Sequence, residues 1–143
     1  MPSFTVERSV GRLIEARIWA LDDVDAANAY AAALGSAASE LTGEKAGILC
    51  ADHRFAAIYP QPVTDRLLEL FRVMNNRLQR VAIVVPPRQA TFYMQLSRIV
   101  RAAGNEARKV FREPHSATDW LAPLLTEAEL TRTETFLAEQ PED

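Results

Sequence analysis

The stretch RVAIVVPPRQATFYMQLSRIVRAAG, residues 80–104, changes its hydrophobic period at a pair of prolines. Arg80–Val85 carries a short, nearly unbroken aliphatic run, the pattern of a central strand buried on both faces. Pro86 and Pro87 end it, because neither supplies an N–H to a ladder. Beyond them the period becomes helical. Phe92, Leu96, Ile99, Val100 and Ala103 fall on one face, Gln95, Arg98 and Arg101 lie elsewhere, and Gly104 is the stop. A strand feeding an amphipathic helix is half of a βαβ unit.

The same alternation extends outward. RLIEARIWA (12–20) places Ile14, Ala16 and Ile18 on one side and Glu15 and Arg17 on the other, which predicts a half-buried strand. SFTVERS precedes it, with Ser9–Val10–Gly11 as the turn between two antiparallel strands. Asp22 or Asp23 caps an Ala-rich helix closed by Thr42–Gly43. KAGILCAD reads as a buried strand. Thr64 and Asp65 open the next helix, with Leu67, Leu70, Phe71, Met74 and Leu78 along one stripe. ARKVF (107–111) is a short last strand. Ser116–Asp119 then caps a helix broken at Pro123, and the capping box Thr126–Glu129 starts a final helix ending near Leu137. The expectation is an α/β fold: a mixed sheet of about five strands in ββαβαβαα order, parallel through its later strands and covered by amphipathic helices. Residues 1–143 form a single α/β domain in this reading, with 126–143 a C-terminal helical extension and short acidic tail. The strand order stays open.

A chain of 143 residues with 48% apolar and 24% charged side chains is long enough to build one core unaided. The lone Cys50 excludes an intramolecular disulfide and fits a reducing compartment. Glu7, Arg8, Arg12, Glu15 and Arg17 interrupt every apolar stretch near the N-terminus, and Val81–Val85 is far too short to span a bilayer. These features predict a cytoplasmic protein without a membrane span. The net charge of −3 hides a segregation: residues 66–112 carry +8, residues 1–65 carry −4 and residues 113–143 carry −7. Either the basic block offers a face to an anionic partner, or the acidic C-terminal helix folds back and neutralises it.

ILCADHRF (48–55) gathers a thiol, a carboxylate, an imidazole and a guanidinium. Alternation along a strand sends Asp52 and His53 to opposite faces, so they do not make a base and its orienting partner there. Cys50 follows Ile48 and Leu49 and reads as a small core residue. Asp52 and His53 stand at the carboxyl end of a strand, where ligands of open α/β sheets sit. Without a ligand, Asp52 is a loop-capping carboxylate and His53 a partly exposed surface residue. His53, His115 and Cys50 are too few for a His/Cys metal site. The turn Val85–Pro86–Pro87–Arg88–Gln89 contains no glycine and lacks two amide donors, which argues against a phosphate-binding loop. Phe71 and Phe92 lie at core positions and leave Tyr93 as the exposed ring of the basic block, a poor basis for nucleic-acid binding.

Residues 80–125 resemble the C-terminal half of the SpoIIAA-like domains, within the broader STAS and CRAL-TRIO-like structural group. The resemblance rests on the strand Arg80–Val85, the helix after it, the KVF strand at 109–111 and the SATDWL helix with Ala117, Trp120 and Leu121. It implies a non-enzymatic fold that supports protein–protein regulation, without cofactor or metal. Some bacterial relatives are anti-sigma-factor antagonists, switched by phosphorylating a serine in an Asp-Ser-Xaa-Gly sequence after the third strand. Here DHRFAAIYPQPVTDRLLEL contains neither serine nor glycine, and Thr64, at the expected helix start, is the nearest hydroxyl for such a phosphoswitch.

The expected function is therefore a STAS-like regulatory or protein-interaction domain, binding a protein partner or itself. Arg72, Gln95, Arg98 and Arg101 are the expected contact residues, with Asp52 and His53 as secondary candidates and no catalytic residue assigned. Resemblance to CRAL-TRIO-type folds raises an alternative, a binder of a small apolar or anionic lipid-like ligand. A hydrolase using Asp52 and His53 is the third reading.

Overall fold

The computed structural model describes residues 3–140, so Glu142 and Asp143 of the expected acidic tail lie outside the described residues. β1 (Phe4–Glu7), β2 (Leu13–Ile18), β3 (Gly47–Asp52), β4 (Leu78–Val84) and β5 (Arg108–Phe111) form one sheet with spatial order equal to sequence order. β1 is antiparallel to β2, and β2 through β5 are parallel. Parallel neighbours need crossovers, supplied by α1 (Val24–Ser39), α2 (Gln61–Met74) and α3 (Ala90–Ala103). α4 (Pro114–Leu121), a 3-10 turn over Ala122–Leu124 and α5 (Glu127–Ala138) follow. The chain has the expected α/β class and mixed five-stranded sheet. Its order is ββαβαβαβαα: the short β5, read from the sequence as ARKVF, pairs residue by residue with Val81–Val84 and is part of the strand–helix pair that the order ββαβαβαα omits.

Within the stretch 80–104, Val81 to Val85 are all buried, and Gly104 closes α3 in the left-handed conformation at φ 74°. Glycine adopts that conformation without a Cβ clash. Ile14, Ala16, Ile18, Leu49, Ala51, Val81, Ile83 and Val85 pack against α1, α2 and α3. Leu13, Ile48, Cys50, Ala82 and Val84 form a second, smaller cluster with Ala117, Leu121, Phe136 and Leu137 of α4 and α5. The sheet is thus covered on both faces, and β2 is buried along its whole length, Glu15 and Arg17 included. This corrects the half-buried expectation for that strand. The face that alternation assigns to solvent is occupied by α5.

Two helix starts also differ from expectation, for one reason. α2 begins at Gln61, one turn before Thr64, and α4 begins at Pro114, before Ser116. A proline at the first helical turn presets φ and gives up an N–H that has no intrahelical acceptor. Pro62 and Pro114 occupy such positions. Thr64 is accordingly not a cap: its buried hydroxyl donates to the Gln61 carbonyl at 2.8 Å. Thr118 does the same to Pro114 at 3.2 Å. Where no proline intervenes the caps fall as read. The Asp23 carboxylate accepts from Ala26 N–H at 2.9 Å, and Thr126 and Glu129 form both halves of a capping box. No described helix is long and apolar enough to cross a membrane.

Candidate functional site

The carboxyl ends of β2 and β3 hold the ILCADHRF cluster, and it is closed. Asp52 and His53 are 0% and 1% exposed. Asp52 caps the loop through the Arg54 N–H as expected, whereas His53 is buried, against the expectation of a partly exposed imidazole. Asp52 accepts from Arg17 Nε at 3.0 Å, from Arg54 Nε at 2.9 Å and Nη2 at 3.0 Å, and from the Arg54 backbone N–H at 3.0 Å. Burial alone would raise its pKa, but these bonds and the Arg54 charge outweigh burial and hold the carboxyl below its ordinary value. Arg17 also donates to the Phe136 carbonyl and pairs with Glu139 at 3.1 Å, with its guanidinium 4.1 Å from the Phe136 ring centre. Glu15 pairs with Arg132 of α5 at 2.7 Å. α5 is therefore docked through charges that reach it from β2.

His53 lies on the opposite face, as strand alternation requires. Its Nδ1 is 2.7 Å from the Tyr59 hydroxyl, and its ring meets Tyr59 and Phe92 edge-on. Burial pushes its pKa down to about 4, against the opposing pull of the Asp52 charge. The Cys50 thiol is fully buried, and burial, then the Asp52 and Glu15 charges, push its pKa up. A thiol held protonated is a poor nucleophile. Asp52 is saturated by arginines, and His53 faces the Tyr59 phenol, which burial holds protonated. The strand order never reverses, so the sheet also lacks the switch point where open α/β sheets form a crevice. Among the described residues no group of three His, Cys, Asp or Glu side chains is placed to hold a metal ion.

The expected basic stripe separates into different surroundings. Residues at i, i+3 and i+6 drift by about 120° around a helix overall, and that rotation carries Arg101 away from Gln95. Gln95 Nε2 donates to the Tyr59 carbonyl at 2.8 Å and its Oε1 accepts from Tyr59 N–H at 2.9 Å. This two-bond bridge ties the β3–α2 loop to α3, a structural task the sequence did not reveal. Arg98 lines a groove of about 350 Å³ between α2 and α3, together with Thr64, Gln95, Asp65, Ile58 and Met94. Arg72 reaches across to the Ala102 carbonyl at 3.4 Å. Arg101 faces a separate, wider depression of about 810 Å³ beside β5. The structure thus brings Gln95, Arg98 and Thr64 together, with Arg72 nearby, and leaves Arg101, Asp52 and His53 apart from them.

Sequence reasoning missed Ile58 and Met94, which are 55% and 59% exposed. Met94 carried a signal: it lies off the Phe92–Leu96–Ile99 stripe, an apolar side chain on a polar helix face. Ile58, inside a loop, carried none. The basic block is not one face either. Arg108 is buried with its guanidinium 4.3 Å from the Phe71 ring centre, and Arg66 bonds Asn28. The acidic C-terminal segment does not neutralise the α3 arginines: among the described residues its ion pairs link Glu139 to Arg17 and Arg132, while Glu129 accepts from Arg12 N–H. Neither Arg98 nor Arg101 is in an ion pair among the described residues. Comparison with protein-family models, curated proteins and solved structures finds no match to this chain.

Proposed function

We propose that this chain is a non-catalytic interaction or regulatory domain of the SpoIIAA/STAS-like kind, which engages an acidic protein surface through the α2–α3 groove. One observation carries the reading. Arg98, without a carboxylate partner among the described residues, shares the groove with the exposed apolar side chains of Ile58 and Met94. Apolar centre and charged rim are the anatomy of a protein contact, the first supplying affinity and the second partner choice. A phosphate on Thr64 would act on the same groove, but its hydroxyl is buried and already donated, so the first turn of α2 must open before a kinase reaches it.

The test uses tagged wild-type chain with Arg98→Glu and Met94→Asp variants, and quantitative mass spectrometry of the captured proteins. An acidic partner enriched by wild type and lost by both variants, with melting unchanged, supports the reading. Equal capture by all three overturns it. The alternative, a small apolar or anionic lipid-like ligand, draws on the groove's 350 Å³ volume and its mix of apolar wall and guanidinium. Native mass spectrometry of the purified chain distinguishes the two, because a retained small molecule adds a discrete mass.

A further inference from the structure

The depression beside β5 has an unusual set of walls. Tyr93, Ser97, Val100 and Arg101 of α3 line one side, Trp120 of α4 lines the other, and Arg108, Lys109 and Val110 of β5 lie between them. α3 and α4 cover opposite faces of the sheet, so a depression bounded by both runs along the edge of β5. That edge is open: among the described strands β5 pairs only with β4. The Ala107 and Phe111 carbonyls accept from Val81 and Val85 N–H at 2.9 Å each, and therefore point toward β4. With a period of two, the carbonyls of Arg108 and Val110 and the N–H of Val110 point away from the sheet.

The charge along this trough is one-sided. Lys109 Nζ lies 4.3 Å and the Arg80 guanidinium 4.1 Å from the Trp120 ring centre on one side of the edge. On the other, the Arg112 guanidinium lies 4.2 Å from the Tyr93 ring centre, near exposed Arg101. Glu106 is the one acidic residue in the lining. Ring stacking holds Lys109 and Arg112 in place while leaving their N–H groups free to donate. Arg80, on β4, already donates to the Trp120 carbonyl at 2.9 Å and backs the ring from behind the edge. A cationic edge repels a second copy of itself, which is how exposed strands avoid self-pairing, yet it selects a strand of opposite charge.

We propose that β5 accepts an acidic peptide segment of a partner protein, in extended conformation, as a sixth strand. Backbone bonds to Arg108 and Val110 supply the pairing. Acidic side chains alternating to the two faces meet Lys109 on one and Arg101 and Arg112 on the other. A peptide is favoured over single-stranded nucleic acid because the Trp120 and Tyr93 rings already carry cations, leaving no free platform on which bases stack. This trough is distinct from the α2–α3 groove, so the two surfaces fail or survive independently.

The probe is a fluorescein-labelled peptide of repeating Glu-Glu-Val-Val, which presents Glu to both faces of an added strand, titrated into the full chain by anisotropy and by amide NMR shifts. Binding with shifts concentrated at residues 108–111, weakened at least tenfold by Lys109→Glu with Arg112→Glu and unaffected by Met94→Asp, is the expected result. Val110→Pro removes an N–H that makes no bond to β4, so it should abolish binding. The same peptide N-methylated on alternate residues should also fail, which tests pairing with the unaltered protein if Val110→Pro does not fold. Equal binding of methylated and unmethylated peptide overturns strand addition. Tighter binding of an oligothymidylate at the same amides overturns the choice of a peptide, and no binding of the peptide overturns the proposal.

Discussion

The two faces of the sheet are held by different physics. Toward α1, α2 and α3, strands β2, β3 and β4 present Ile14, Ala16, Ile18, Leu49, Ala51, Val81, Ile83 and Val85, an apolar layer against an apolar layer. Toward α4 and α5, β2 and β3 present Glu15, Arg17 and Asp52 beside Leu13, Ile48 and Cys50. Hydrophobic contact is non-directional, so the first face fixes that helices pack but only loosely how. The second face adds directional bonds. Arg17 reaches the Phe136 carbonyl, Glu15 reaches Arg132, and Glu129 receives the Arg12 N–H. A helix docked this way has one register. The α2–α3 groove therefore sits on the layer that these charges do not hold, whereas the β5 trough touches both layers through Tyr93 and Trp120.

The sharpest way to break this contrast is Asp52→Ala. It leaves the Arg17 guanidinium buried beside a missing counter-charge, and such losses cost about 3–5 kcal/mol. Denaturant unfolding should show that loss, and the double variant Arg17→Met with Asp52→Leu should recover most of it. A loss under about 1 kcal/mol for Asp52→Ala would mean that the second face is held by packing like the first.

A smaller effect separates the faces by pH. His53 stays neutral in the folded chain down to about pH 4, whereas an unfolded chain protonates its imidazole near its ordinary value of about 6.5. Between those values the unfolded state binds more protons, so stability falls as pH drops from about 6.5 to about 4, by roughly 3 kcal/mol. His53→Gln should flatten that window. Asp52, held below the usual carboxylate range, should contribute its own loss only at lower pH. Melting curves at half-unit steps resolve the two, one from each face. The smallest expected change is Thr126→Ala, which removes half of the α5 capping box and should lower stability by about 1 kcal/mol. Because α5 is also pinned by Glu15 and Arg17, its register should persist, and near-ultraviolet circular dichroism should stay unchanged.

The sheet was legible because each strand announces itself by a short apolar run and each crossover helix by a stripe at helical spacing. The starts of α2 and α4 were misread because Thr64 and Ser116 look like caps, while Pro62 and Pro114 outrank them. The burial of Glu15 and Arg17 was hidden for a different reason. Their alternation is that of a solvated face, and only the arrival of α5, more than a hundred residues later, makes it an interior. The candidate site was legible in type but not in arrangement. Arg98 and Arg101 stand out in the sequence, yet which side of α3 each occupies depends on where α2 and β5 lie. The structural task of Gln95 was the least legible part, since its carboxamide bonds the backbone of Tyr59, a loop residue 36 positions away.

Cys50 gives the second face a clock. Its sulfur is enclosed between β3 and the α4–α5 layer, so an alkylating reagent reacts only when that layer lifts. Because it is the chain's single thiol, the labelling rate counts openings of one defined joint. Measured across denaturant, that rate tells whether α5 detaches on its own or only when the whole chain unfolds. Detachment alone would show a labelling rate nearly independent of denaturant, and global unfolding a steep one. A small core residue thus times the release of the helical layer that covers it.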